Sequence, residues 1–174
     1  MNLFSENVES IHTVLHWISQ SQLGKSVLEQ RRSSRYSDRV SFNQFSPEVC
    51  SDLKMHSQVS AAFVTDGTLG SIYFDGSSQL GVLIPVIFHE MIHSMDESLW
   101  RLAKYPDLLA PQKRDILFQS EVCAYQGQIA LLRELWTTFP HLKQFLEEEF
   151  SSVPHFQRDL TPSEISELYA HSRR

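Results

Sequence analysis

The chain has 174 residues, 41% hydrophobic and 21% charged, with a formal net charge of -6 at pH 7. That length suits one domain over residues 1–174 with a proper core, and the acidic balance argues against nucleic acid as the main partner, which would require neutralising phosphates with Lys and Arg. The longest apolar run, 80–88, is far below the roughly 20 residues of a membrane span. The opening MNLFSENVESIH shows no signal-peptide pattern. Two cysteines, Cys50 and Cys123, without a CxxC spacing, suit a reducing compartment. A cytoplasmic protein without membrane or nucleic-acid partners is therefore expected, its oligomeric state unreadable.

In chain order, Val8, Ile11, Leu15 and Ile18 recur at helical spacing, and a second helix is expected after Gly24. The stretch RRSSRYSDR gathers Arg31, Arg32, Arg35 and Arg39 near Lys25, with Glu29 and Asp38 partly offsetting them. No aromatic platform or glycine-rich loop accompanies these charges, so a solvated face is the expectation over an anion-binding patch. Ser46-Pro47-Glu48 reads as a cap and first turn of a short helix to about His56. Two short β-branched or aromatic runs, 61–64 and 71–75, flank the turn residues TDGTLG and predict a hairpin. A helix over 82–99 follows, with Pro85 in its first turn or just before its regular part. Further helices are expected from Pro111 to about Phe139, over His141 to Phe150, and from the capping box Thr161-Pro162-Ser163-Glu164. The fold class is helix-rich α+β with a small sheet beside the helix at 82–99.

That helix carries the chemistry. No Asp, Glu, Lys or Arg occurs between Asp75 and Glu90, and the apolar run then delivers His89, Glu90 and His93 in the order H-E-x-x-H. Residues four apart stack on one helix face, so the two imidazoles can present nitrogens to one point, with Glu90 bordering it. A zinc ion held there would acidify a bound water, and the carboxylate could take its proton. Ile84, Phe88, Met91, Ile92, Met95 and Leu99 form an apolar face that sets this helix in the core. A buried, unpaired carboxylate is costly there, which favours a metal over two hydrogen-bonded core histidines.

A third ligand must come from elsewhere. On the following helix Leu117, Tyr125, Leu132, Leu135 and Phe139 trace an apolar stripe, and Glu121 lies on it within SEVCAYQGQ. Ala124 and Gly127 are small enough to let that helix approach its neighbour. Glu121 is thus the candidate ligand, against the alternative of a Glu at the edge of a solvated face.

HEMIH on a helix after a hairpin, with SEVCAYQGQ on a later helix, resembles the gluzincin branch of zinc-dependent metallopeptidases. The likeness covers residues about 60 to 130. It implies one zinc per chain bound by His89, His93 and Glu121, with Glu90 as general base, a peptide or protein substrate, and a zincin-like domain. It also implies that an edge strand binds extended substrate, and Ile72, Tyr73 and Phe74 are placed for that role, unless the strand merely closes a small sheet. The metzincin pattern is not met, since Asp96 and Leu99 occupy the positions of its Gly and third His.

Weaker candidates surround this set. Asp96 could orient an imidazole or be a polar residue late in the helix. Tyr125 or Gln128 could donate to an oxyanion or to the zinc water, with core packing the simpler role for Tyr125. His12 and His16 read as a surface pair, His141 and His155 lack a motif, Cys123 reads as a small core residue, and Trp136 and Phe139 as core. The expected function is a zinc-dependent peptidase. The alternative is a non-catalytic zinc domain with a structural or protein-interaction role, which would need the ligands and have no use for Glu90.

Overall fold

The computed structural model describes residues 2–8, 10–52, 59–105, 107, 109–149, 161–165 and 167. Its centre is helix α4, and the other elements are most easily placed around it. They are α1 (Ile11–Ile18), α2 (Gln22–Ser33), β1 (Val40–Gln44), α3 (Pro47–Asp52), β2 (Ala61–Thr65), β3 (Gly70–Phe74), α4 (Leu80–Met95), α5 (Glu97–Lys104), α6 (Ala110–Thr138) and α7 (Pro140–Glu149). The class is α+β. Among the described residues no helix is long and apolar enough to cross a membrane.

Leu83, Ile84, Ile87, Phe88 and Met91 of α4 are completely buried. Burying each such side chain contributes about 1.5–3 kcal/mol, enough to hold α4 in the core although it also carries His89, Glu90 and His93. The sheet, α1, α2, α6 and α7 all pack against it. Pro85 lies inside the helix, beyond the expected first turn, and is buried; having no N–H, it leaves the Gly81 carbonyl without its usual partner. The helix also ends earlier than the spacing predicts. Asp96 N donates to His93 O, and the Asp96 side chain accepts from Ser98 N at 2.8 Å, so one aspartate closes α4 and caps α5.

The hairpin of β2 and β3 forms as expected, with Phe63 opposite Ile72. A third strand, β1, was not foreseen; it pairs in parallel with β3, Phe42 opposite Ile72, giving the order β1-β3-β2. This corrects the reading of Ile72, Tyr73 and Phe74. They lie in the central strand, whose main-chain groups are engaged on both sides, so they cannot pair with an added chain. Ile72 and Phe74 are buried, while Tyr73 stacks on Phe45 on the opposite face. β2 is the edge strand beside α4.

Other boundaries moved for local reasons. α2 opens at Ser21, whose hydroxyl accepts from Gly24 N at 2.7 Å, so Gly24 sits in the first turn. The capping box at Thr161 forms in both directions, with Thr161 N donating to Glu164 Oε2 at 2.8 Å and Glu164 N to Thr161 Oγ1 at 3.4 Å. Residues 162–165 are helical, and Ile165 is buried near Phe118, Val122, Tyr125 and Ile129. His12, His16 and His141 are exposed. Trp136 and Phe139 pack against the main core. Cys123 is exposed, which corrects its assignment to the core: it lies on α6 just past the inward face that carries Ala124 and Ser120. His56, Phe150, His155 and the end of the last helix lie outside the described residues.

Gly127 lies where α6 meets the Ile92 side chain of α4. A methyl group there would stand 2.3 Å from Ile92 Cδ1. Ala124, one turn earlier, is fully buried. Changing Gly127 to Val should therefore strain the interface and lower stability by about 1–3 kcal/mol, read as a fall in the urea midpoint. An unchanged midpoint would show that the helices have room to spare.

Candidate metal centre

His89 and His93 sit one turn apart on α4, both buried, and face Glu121 of α6. Their Nε2 atoms lie 2.9 Å apart. Glu121 Oε2 is 3.2 Å from His89 Nε2, and its Oε1 is 3.6 Å from His93 Nε2. Donors bound at about 2.0–2.1 Å around a tetrahedral ion stand roughly 3.3 Å from one another. The three side chains are therefore spaced like three corners of such a site.

The far nitrogens reinforce this. His89 Nδ1 lies 3.1 Å from Gln128 Oε1, and His93 Nδ1 lies 2.8 Å from Ser120 Oγ. Assigning both Nδ1–H groups as donors to these oxygens leaves both Nε2 atoms with free lone pairs. Two lone pairs facing each other at 2.9 Å repel unless a proton or a cation lies between them. The donor set thus fits a metal ion, and among the described residues no fourth His, Cys, Asp or Glu joins it.

Without an ion, the same contacts couple the charges of the three side chains. Burial raises the Glu121 carboxyl, but the two imidazoles outweigh it and hold the group down at about 2. For His93, burial lowers the imidazole, while Glu121, Glu90 and Asp96 raise it and prevail. Both shifts express the pairing of the imidazoles with an ionised Glu121. Glu90 moves the other way: burial lifts its carboxyl above the ordinary range, and the two imidazoles and a hydrogen bond from Phe63 only partly offset this.

Glu90 does not join the donor set. Its Oε2 accepts from the Phe63 backbone N–H at 2.7 Å, which ties the carboxylate to the edge strand β2. Together with His93 and Glu121 it lines a cleft of about 450 Å³ bounded by β2, α5 and the start of α6, with Leu99, Leu102 and Leu117 as apolar walls. The cluster therefore opens on one side to a space that could hold a ligand.

No protein-family model matches this chain, and neither a curated protein nor a solved structure matches it. The site must be judged on its own geometry.

Of the weaker candidates, Asp96 is corrected: its carboxylate caps α5, and the acceptor for His93 is Ser120 instead. Gln128 is buried behind His89 as an orienting partner and does not line the cleft, so it is no oxyanion donor. Tyr125 packs its ring edge-on to His89, centroids 4.7 Å apart, and also lies outside the cleft lining. Burial, followed by the charges of Glu121 and Glu90, pushes its hydroxyl up to about 12. Two contributors carried no signal in the sequence. Ser120 is a small residue in the middle of a helix, and Phe63 contributes only its main chain.

Partners that orient a metal-binding histidine typically carry a factor of about 10–100 in affinity. Ser120→Ala and Gln128→Ala should each weaken metal binding by about that factor, measured with zinc as the probe ion in competition with a chromophoric chelator. Glu121→Ala should weaken it further. Affinities equal to wild type in the first two would show that packing alone holds the rings.

Proposed function

We propose that this chain is a zinc-dependent peptidase of the gluzincin type, with a zincin-like arrangement of sheet, active-site helix and downstream ligand helix. His89, His93 and Glu121 hold the metal, and Glu90 is the general base. The observation that carries this reading is the position of Glu90. It stands beside three donors that leave a fourth position for water or substrate, it borders the cleft, and it is fixed by Phe63 rather than by the donor set. Three protein ligands with an open position are the pattern of catalytic zinc sites, whereas structural sites are closed by four. A non-catalytic zinc domain would gain nothing from placing and partly burying a carboxylate there.

Zinc bound by these residues supplies Lewis acidity, polarising a carbonyl oxygen and bringing the pKa of water towards neutrality. Glu90 takes the proton from the attacking water as the water oxygen bonds to the carbonyl carbon. Burial suits it to hold that proton, because a carboxyl raised above its ordinary range is a stronger base at neutral pH. As the carbon–nitrogen bond breaks, Glu90 returns the proton to the leaving amine. The Phe63 N–H keeps the carboxylate aimed during both transfers. In this reading an extended substrate lies along β2 and not along β3, a role supported by the lining of the cleft by Ala62 to Thr65.

Glu90→Gln preserves an acceptor for Phe63 and removes the base. It should retain about one zinc per chain, by inductively coupled plasma mass spectrometry, and lose at least about a hundred-fold in hydrolysis of any peptide the wild type cleaves from a random library. His93→Ala should lose the metal. Full hydrolysis by a pure Glu90→Gln preparation would overturn the general-base assignment, and a wild type that takes up no zinc would overturn the whole reading.

A further inference from the structure

The arginine-rich stretch read from sequence as a solvated face has a different setting in three dimensions. Arg35 and Arg39, from the end of α2 and the turn before β1, meet Arg101 and Lys104 of α5 around one pocket of about 530 Å³. Its floor includes Tyr36 and Trp100, buried and stacked with ring centroids 4.2 Å apart and planes within 5°. The aromatic partner that the local sequence lacked is thus supplied from α5. One carboxylate lines the pocket, Glu97, and it is paired with Arg35. Among the described residues the side chains of Arg39 and Arg101 have no hydrogen-bond or ion-pair partner, and Lys104 lies only over the Tyr105 ring. Cations of one sign are gathered here on a chain whose net charge is -6.

Position relates this pocket to the candidate active site. Helix α5 stands between them: Leu99, Leu102 and Ala103 face the cleft, while Trp100, Arg101 and Lys104 face the basic pocket. The two meet at the β2–β3 turn, where Thr65 lines the first and Gly67 the second. Gly67 lies four residues along the chain from Phe63, beside Glu90, at most about 13 Å when extended. The turn itself offers no amide cradle for a free phosphate. Gly67 N donates to Thr65 Oγ1, and Thr68 N and Leu69 N both donate to Asp66 Oδ1. Recognition is left to guanidinium and ammonium groups, which suit the carboxylates of extended side chains.

We infer that this pocket is a specificity subsite for an acidic side chain of the peptide bound along β2, a few residues from the bond that is cleaved. The inference rests on the peptidase reading for its substrate. It makes Arg39 and Arg101 the residues that select acidic sequences.

The test measures binding, so it does not depend on turnover. Full-length Glu90→Gln protein, with and without added zinc, is passed over two immobilised pools of random extended peptides that differ only in carrying Asp and Glu or Asn and Gln. The acidic pool should bind about ten-fold more tightly, and Arg39→Ala combined with Arg101→Ala should abolish the preference while the urea midpoint stays unchanged, since both side chains are exposed. Equal binding of the two pools, or a preference that survives the double substitution, would overturn the subsite even if the wild type cleaves peptides. Saturation of the pocket by inorganic phosphate with no preference between pools would also overturn it, in favour of a small-anion site. A preference lost in the double variant, in a protein that hydrolyses nothing, would support acidic-peptide recognition and remove the peptidase reading alone.

Discussion

The close approach of α6 to α4 is the constraint on which the rest depends. Each helix alone carries an incomplete set, two imidazoles on one and a carboxylate on the other. They become a site where the two helices pack, with small Gly127 against Ile92 and Ala124 fully buried. The same contact seats Ser120 and Gln128 against the outer ring nitrogens. One packing decision thus fixes the third donor and both ring orientations together, and none of these can be adjusted without disturbing the others.

The polar cluster is held inside a core that would not otherwise accept it. The two imidazoles and two carboxylates carry a desolvation cost that mutual attraction outweighs at Glu121 and His93 and leaves unmet at Glu90. That balance is visible in opposite movements: Glu121 is driven towards ionisation by the histidines, while Glu90, one residue along α4, is driven by burial towards its proton. Two neighbouring carboxylates of the same chemical type are thereby set at opposite ends of the carboxylate range.

Much of this was legible in the sequence where side chains alone determine the outcome. The i, i+4 spacing of His89 and His93 and the inward position of Glu121 are helix geometry, and they hold in three dimensions. The small residues at 124 and 127 gave the helix contact for the same reason. What escaped depends on the main chain or on distant partners. β1 reads VSFNQ, polar at most positions because one of its faces is open, so its alternation is weak and its pairing with β3 follows only from the fold. Without β1, β3 looks like an edge strand. Asp96 was considered as a partner for His93 because the two are close in sequence, but capping α5 won, and a serine from another helix took its place. The basic stretch could not be tied to Trp100 and Arg101 by any local pattern, since some sixty residues separate them.

The bond between Glu90 and the Phe63 N–H has a consequence for the sheet itself. An open edge strand is a template on which other chains can pair, and small sheets are prone to swapping and fibril growth through such edges. Here the middle outward-facing donor of β2 is already engaged by a carboxylate from beneath. An arriving strand finds one rung of the ladder filled, so a continuous run of pairing is broken there. Only a chain that is gripped to either side of that rung can settle there. The carboxylate thus interrupts the ladder of β2, one of the two edges of the sheet.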